Sequence, residues 1–203
     1  MILSDREIQS VLKAGLILIE PPPDPSFYSS TSLDLTLHGA LLTWNDPGAT
    51  PSGPRKKVRP MDGGFDIRAF LDDPNSTTRH LIGPDGFDLE PRMFVLGYTQ
   101  QRIYLPNSSR LAARVEGKSS LARLGVGIHV TAPTIHAGFG FNPKDLNHLG
   151  LPIQLEIFNV GNQVVVLDVG MPICQLILEE VREVPTRGYQ GRLSDQQSFS
   201  TMP

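Results

Sequence analysis

The chain has 203 residues with 39% hydrophobic and 19% charged positions, a composition typical of one soluble globular domain. Its formal net charge of −3 disfavours a protein that coats nucleic acid, since such proteins carry an excess of basic residues. No apolar run is long enough to span a membrane, and the one cysteine, Cys174, cannot form an internal disulfide, which fits a reducing cytoplasm.

The first predicted element is a helix over residues 4–14. Ser4 is a typical N-cap, Glu7 completes a capping box, and Gly15 follows as a stop signal. A strand is predicted at residues 32–39, where leucines alternate with polar residues. The side of this strand that is expected to face the core carries Leu33, Leu35 and Leu37.

Two segments rich in turn-forming residues, 45–64 and 72–86, are interpreted as surface loops. From residue 87 onward, short apolar segments are separated by Gly, Pro or Asn, which predicts many short strands in a distorted barrel or jelly-roll-like fold. The segment NVGN (159–162) is predicted to connect a hairpin, and the polar tail 185–203 is expected to be flexible without a ligand. We therefore expect a single, mainly β domain with short helices over residues 1–203.

The segment GKSSLARLG (117–125) concentrates a lysine, two hydroxyls and an arginine at the junction of a strand and a predicted short helix. Such donors and cations suit a phosphate group. The segment is not a Walker A loop, because position 112 is Ala where that loop requires Gly. A solvated basic turn is the alternative interpretation of the same residues.

A carboxylate interrupts the strand that is predicted at PIQLEIFN (152–159). Glu156 lies between apolar residues of this strand, where a charge is costly unless it is paired or functional. A carboxylate in such a position suits general acid–base catalysis. The alternative is an ordinary glutamate on a solvent-exposed face.

The segment EGKSSLARLGVGIHVTA (116–132) resembles the signature of dCTP deaminases, which belong to the same superfamily as trimeric dUTPases. The resemblance covers most of the chain outside residues 45–86 and 142–151. Further segments similar to the family, in the expected order, are MILSDREI, TSLDLTLHG, MFVLGYTQQRIYLP, QLEIFNVGN, VGMPICQL and GYQG. The resemblance implies a dUTPase-type, β-barrel-like subunit in a homotrimer, with active sites built between subunits.

The resemblance also implies a reaction and its residues. The reaction is the deamination of dCTP to dUTP and ammonia, a hydrolysis of the C–N bond of a cyclic amidine. The implied catalytic residues are Glu156, Ser119 and Arg123. The implied substrate-binding residues are Lys118, Ser120, Ala132, His136, Gln175 and Tyr189. Glu156 favours a deaminase over a plain dUTPase, because the dUTPase pattern lacks a glutamate there.

No metal bound by the protein itself is expected. The zinc-dependent nucleobase deaminases hold their metal with a histidine and cysteines, and a chain with one cysteine cannot form that set. His129, His136 and His148 do not share a known metal-ligand spacing. Mg²⁺ is expected to bind through the phosphates of the substrate.

The sequence departs from the family around the expected sugar and base positions. His136 stands where the family has Asp, Pro133 and Thr134 also differ, FNPKDLNHLG is inserted before Glu156, and the tail reads GYQGR. Two alternatives therefore stay open. One is a nucleoside triphosphate pyrophosphatase, either dUTPase-like or bifunctional with deamination, although the missing Asp argues against it. The other is a nucleotide-binding regulator without turnover, although Glu156 argues against it.

Overall fold

The computed structural model describes residues 1–45, 57–128, 132–141 and 150–187. Strands predominate, and the helices are few and short. The helices are α1 (Asp5–Lys13), α2 (Ile67–Asp72) and α3 (Ser119–Ala122), with 3-10 turns at Pro25–Phe27 and Asn107–Ser109. The strands are β1 (Leu18–Glu20), β2 (Tyr28–Ser29), β3 (Ser32–Thr36), β4 (Ala40–Trp44), β5 (Thr77–Leu81), β6 (Phe87–Leu89), β7 (Phe94–Tyr104), β8 (Leu111–Gly117), β9 (Val126–Ile128), β10 (Thr134–Ile135), β11 (Leu151–Asn159), β12 (Val165–Leu167) and β13 (Pro172–Glu180).

The N-terminal helix forms as its sequence predicts. The Ser4 hydroxyl accepts a hydrogen bond from the Glu7 backbone N–H, and the Glu7 carboxylate accepts one from the Ser4 backbone, which completes the capping box. Ile8 is fully buried, and Val11 and Leu12 pack on the core beside it. The helix therefore attaches to the β-structure through one apolar face.

Two antiparallel sheets share one core. The larger sheet has the order β5-β4-β7-β11-β9, with β1 also paired to β7, and the second has the order β10-β8-β13-β3-β2. A third, two-stranded sheet joins β12 to β6. The mainly β prediction is confirmed. The described strands form two facing sheets and no closed barrel.

The inner face of β3 shows how the sheets build this core. Leu33, Leu35 and Leu37 are fully buried, as their alternation predicts. The intervening Asp34 is only partly buried and lies on the opposite face of the sheet. The alternation therefore turns the leucines toward the core and Asp34 away from it. No helix among the described residues has the length and hydropathy needed to cross a membrane.

The prediction of a surface loop at 72–86 is wrong, because strand β5 lies inside this range. This strand pairs with β4 along its whole length, from Thr77 opposite Trp44 to Leu81 opposite Ala40. It is an edge strand with mostly exposed side chains, so it lacks the apolar alternation by which a strand is predicted. In the other predicted loop, 45–64, residues 46–56 lie outside the described residues, and 57–64 form no helix or strand.

The predicted hairpin at NVGN (159–162) is also wrong. The segment follows β11, which pairs with β7 and β9, and precedes β12, which pairs with β6 in a different sheet. The Asn159 amide fixes this turn by donating to the carbonyls of Leu89 (2.9 Å) and Gln163 (2.8 Å). The turn thus leads the chain from one sheet to another. Its four residues alone do not determine this path.

Candidate active site

The segment GKSSLARLG forms the predicted junction of strand and helix. β8 ends at Gly117, Lys118 is the extended N-cap residue, and α3 follows at once. Gly125 closes the segment with φ +90° and leads directly into β9. A Cβ at Gly125 would lie 2.3 Å from the backbone nitrogen of Gly161, so the two backbones are in close contact. The segment is held between β8 and the NVGN turn.

The polar side chains of α3 and of its C-cap residue are exposed: Ser119, Ser120 and Arg123. Lys118 differs from them, because it is half-buried and forms an ion pair with Asp34 on β3. The other carboxylate oxygen of Asp34 accepts a hydrogen bond from Gln175 Nε2 at 3.1 Å. The structure therefore brings Lys118 and Gln175 together through Asp34. Sequence reasoning missed Asp34, and the signal was its carboxylate between Leu33 and Leu35, whose side chains face the core.

Glu156 lies near the middle of β11. Its strand neighbours Leu155 and Ile157 are fully buried and face the core, whereas Glu156 is half-buried on the opposite face. One of its carboxylate oxygens, Oε2, is shielded from solvent. Leu96 on β7 lies directly across from Glu156 and is buried, so one side of the carboxylate is apolar. This is not the environment of an ordinary solvent-exposed glutamate.

Strand β9 places the two motifs next to each other. Its last residue, Ile128, pairs with Ile157, the neighbour of Glu156 on β11. The same residue packs beside Gly117, whose ideal Cβ position is 3.8 Å from the Ile128 backbone nitrogen. One short strand therefore separates the beginning of GKSSLARLG from the strand that carries Glu156. Residues 129–131, which continue from β9, lie outside the described residues.

A tyrosine borders Glu156 on the same face of the sheet. Tyr98 on β7 lies opposite Gln154, and its hydroxyl accepts a hydrogen bond from Gln154 Nε2 at 2.9 Å. Burial raises the pKa of Tyr98 to about 12, so the phenol stays protonated at neutral pH.

Burial, and then the charge of Asp34, also raise the pKa of the Cys174 thiol, which makes it a poor nucleophile.

The segment 132–136 runs antiparallel along β8, so that Pro133 lies near the end of β8 and His136 near its start. Pro133 accepts a hydrogen bond from the Val115 backbone N–H at 2.8 Å, and Ile135 pairs with Ala113. Ala132 and His136 are both exposed. Continuing this register places His136 beside residue 112, six positions before Lys118 or roughly 20 Å along an extended strand. A single chain therefore does not bring His136 to the phosphate-binding candidates.

Tyr189, the last of the predicted substrate-binding residues, lies outside the described residues, as does most of the predicted tail. Gln175 is described, half-buried, and lies between Glu116 and Asp34 in the register of β13. Among the described residues no cluster of three or more His, Cys, Asp or Glu side chains is arranged to hold a metal ion.

Comparison with known proteins supports the resemblance over nearly the whole chain. The family model described as dCTP deaminase-like matches residues 2–181. The dCTP deaminase of Buchnera aphidicola is 32% identical over 193 residues, which cover 95% of this chain and 90% of the relative. The protein of Coprothermobacter proteolyticus named dCTP deaminase, dUMP-forming, is 34% identical over 199 residues, which cover 97% of this chain and 92% of the relative.

A solved structure has the same fold. The 2'-deoxycytidine 5'-triphosphate deaminase from Agrobacterium tumefaciens superposes on 87% of this chain with a TM-score of 0.59 and 19% sequence identity. The matched region is 47% of the length of that protein, so the present chain corresponds to about half of it. By the family model and by its relatives, this chain belongs to the dCTP deaminase-like family.

Proposed function

We propose that the protein removes the amino group of dCTP by hydrolysis and releases dUTP and ammonia. The observation that carries this proposal is the position of Glu156, a half-buried carboxylate on β11 that one short strand, β9, connects to GKSSLARLG. A nucleotide deaminase without a protein-bound metal requires a general base and phosphate donors, and in this chain β9 links the strand that carries Glu156 to the segment that begins with the donors. Relatives at 32–34% identity that are named dCTP deaminases support the same substrate.

In the proposed mechanism Glu156 accepts a proton from a water molecule as that water attacks C4 of the cytosine ring. The carboxylic acid gives this proton to the ring nitrogen N3. The regenerated carboxylate then takes the second water proton from the hydroxyl on C4 and passes it to the amine, so that the C4–N bond breaks, ammonia departs and a carbonyl remains. Ser119 and Arg123 orient the water and stabilise the charge that develops on the base. The buried Leu96, across from Glu156 in the register of β7 and β11, would strengthen these interactions by keeping water from that side.

The phosphates would be held by Lys118, Ser120 and Gln175. A magnesium ion bound to the substrate's own phosphates would neutralise part of their charge. No dedicated protein site is proposed for that ion.

We further propose a homotrimer with active sites between subunits. In one chain, His136 and Lys118 lie near opposite ends of β8, roughly 20 Å apart along the strand, so a second chain is needed to complete a site containing both. Exposed apolar side chains such as Val160 and Leu124 would be covered by assembly. Light scattering measures this directly, and a monomer that still turns over dCTP would contradict it.

The test of the reaction is a nucleotide assay with two separate readouts. Purified protein with dCTP and Mg²⁺ should release ammonia, and a chelator that removes zinc but leaves Mg²⁺ should not stop the reaction. Ammonia is measured by a coupled enzyme assay and the nucleotide product by chromatography. Activity that disappears on zinc removal and returns with zinc alone would contradict the proposed role of Glu156.

Several relatives at 32–34% identity are named dUMP-forming, so dUMP is the second candidate product. Such proteins would also cleave the triphosphate. His136 stands where the family has an Asp, and a neutral imidazole accepts only one hydrogen bond, whereas a carboxylate accepts several. We therefore expect little or no dUTP hydrolysis by the wild-type chain. The competing explanation is that another residue takes the role of the missing Asp, such as Asp145, which lies outside the described residues.

The substitution His136→Asp separates these explanations. It should raise dUTP hydrolysis, and it should shift the preference toward deoxyribose if residue 136 lies at the sugar. Turnover of dCTP, CTP and dUTP is compared in the wild type and the variant, with dUMP and pyrophosphate measured separately from ammonia. If all three rates stay unchanged, His136 does not contact the nucleotide. Wild-type release of dUMP from dCTP would show that the missing Asp has been replaced elsewhere.

A further inference from the structure

The ion pair between Asp34 and Lys118 joins two parts of the chain that are distant in sequence. Asp34 lies on β3, and Lys118 is the residue between β8 and α3, so the pair connects the second sheet to the GKSSLARLG segment. The side chains are mostly buried, with 15% of Asp34 and 21% of Lys118 exposed. A pair at this depth is far less weakened by solvent than a surface ion pair, and removing one partner leaves the other as an uncompensated charge.

Asp34 binds two residues at once, and it uses a different oxygen for each. Oδ2 pairs with the Lys118 ammonium, and Oδ1 accepts from Gln175 Nε2. Gln175 is also the register partner of Asp34 across β13 and β3, which fixes its approach. The carboxylate therefore holds an ammonium and an amide side by side on the outer face of the second sheet.

The chemistry of Asp34 excludes a direct role in binding phosphate. An ionised carboxylate only accepts hydrogen bonds, and its charge repels a phosphate group. The two groups that it holds are both donors, and each keeps N–H groups that Asp34 does not use. The groups of this chain through which Asp34 can assist nucleotide binding are its two partners, Lys118 and Gln175.

We propose that Asp34 is a positioning residue of the nucleotide site, which fixes the Lys118 ammonium and the Gln175 amide as preorganised donors to the phosphates. This inference rests on the proposed function. Without Asp34, the long Lys118 side chain would have to be ordered each time a nucleotide binds, and that ordering opposes binding. Because Asp34 cancels the charge of Lys118, the exposed Arg123 supplies the net positive charge of the segment.

The test is a double-mutant cycle with Asp34→Asn, Lys118→Met and the double variant. Each single substitution should weaken dCTP binding by about tenfold or more, the scale of one charged hydrogen bond, with a smaller change in kcat. The double variant should bind less than about tenfold more weakly than Lys118→Met alone, because only the contact of Asp34 with Gln175 is left to lose. Calorimetry in a Glu156→Gln background measures the dissociation constant of dCTP, and steady-state kinetics separate KM from kcat.

The matched control is Glu116→Gln. Glu116 lies on the same outer face, opposite Gln175, and pairs with Arg114 rather than Lys118. Like Asp34→Asn, the substitution Glu116→Gln removes one negative charge close to GKSSLARLG, but it does not disturb the Lys118 ammonium. Binding of dCTP should therefore change little. Equal effects of Glu116→Gln and Asp34→Asn would show a general effect of charge and would overturn the proposal.

Folding and function are distinguished by further outcomes. If Asp34→Asn alone does not fold, the comparison is between Lys118→Met and the double variant, which leaves neither charge unpaired. A further loss of about tenfold or more in the double variant relative to Lys118→Met, or unchanged affinity in Asp34→Asn, overturns the positioning role. Wild-type protein that binds dCTP without releasing ammonia overturns the proposed reaction but not the role of Asp34, whereas failure to bind any nucleoside triphosphate overturns both.

Discussion

Glu156→Gln should lower the turnover of dCTP by at least about 10²-fold, the usual scale for the loss of a general acid–base group. The amide keeps the shape of the side chain but cannot accept a proton from the attacking water. The position on β11 is unchanged by the substitution, because the core is held by the fully buried neighbours Leu155 and Ile157. Nucleotide binding should therefore be largely kept. Single-turnover ammonia release and the dissociation constant of dCTP, measured on the same protein, give the two quantities.

Glu179→Gln is the control for this experiment. Glu179 is also a half-buried carboxylate on a long strand, but it pairs with Arg114 at 2.6 Å on the second sheet. Its loss should leave the turnover of dCTP near the wild-type value. Near-normal turnover in Glu156→Gln would remove Glu156 from the mechanism and would favour a different water-activating residue.

Gly125→Ala should destabilise the protein by about 3 kcal/mol or more, from a disfavoured left-handed backbone and from overpacking together. Gly125 has φ +90°, and an added Cβ would lie 2.3 Å from the nitrogen and 2.5 Å from the Cα of Gly161. Both of these atoms belong to the backbone, so no side-chain rotation can relieve the clash. The midpoint of urea unfolding measures the loss.

Gly83→Ala is the matched control, because a Cβ at Gly83 meets nothing within 4 Å. Its unfolding midpoint should stay close to that of the wild type. Gly125 leads into β9, and the Val160 backbone N–H donates to the Gly125 carbonyl at 2.9 Å. The Gly125→Ala variant should therefore also lose dCTP turnover at temperatures where it remains folded. A Gly125→Ala protein as stable as the control would mean that the contact between the GKSSLARLG and NVGN turns can open without cost.

Local features of this protein were predictable because their causes lie within a few residues. The capping box at Ser4 and Glu7 places donor and acceptor three positions apart, so α1 could be placed at once. The alternation in SLDLTLHG and PIQLEIFN fixed which side chains face the core, since strand neighbours point to opposite faces. That alternation also placed Glu156 on the outer face of an apolar strand. The names of the reaction and of the site residues came from the resemblance of GKSSLARLG and its companion segments, not from these periodicities.

The remaining features depend on contacts between distant parts of the chain, and only the tertiary structure decided them. Strand β5 is mostly exposed and carries no apolar period, so its pairing with β4 determines that it is a strand. The NVGN turn could have closed a hairpin, but the pairing of β12 with β6 sends the chain into another sheet, and the close approach to Gly125 requires Gly161 there. The partner of Lys118 is 84 residues away in sequence, at Asp34, because antiparallel pairing through β13 brings β3 and β8 together. Sequence periodicity determines which face of a strand is buried, but the identity of the neighbouring strand is set by how the whole core packs.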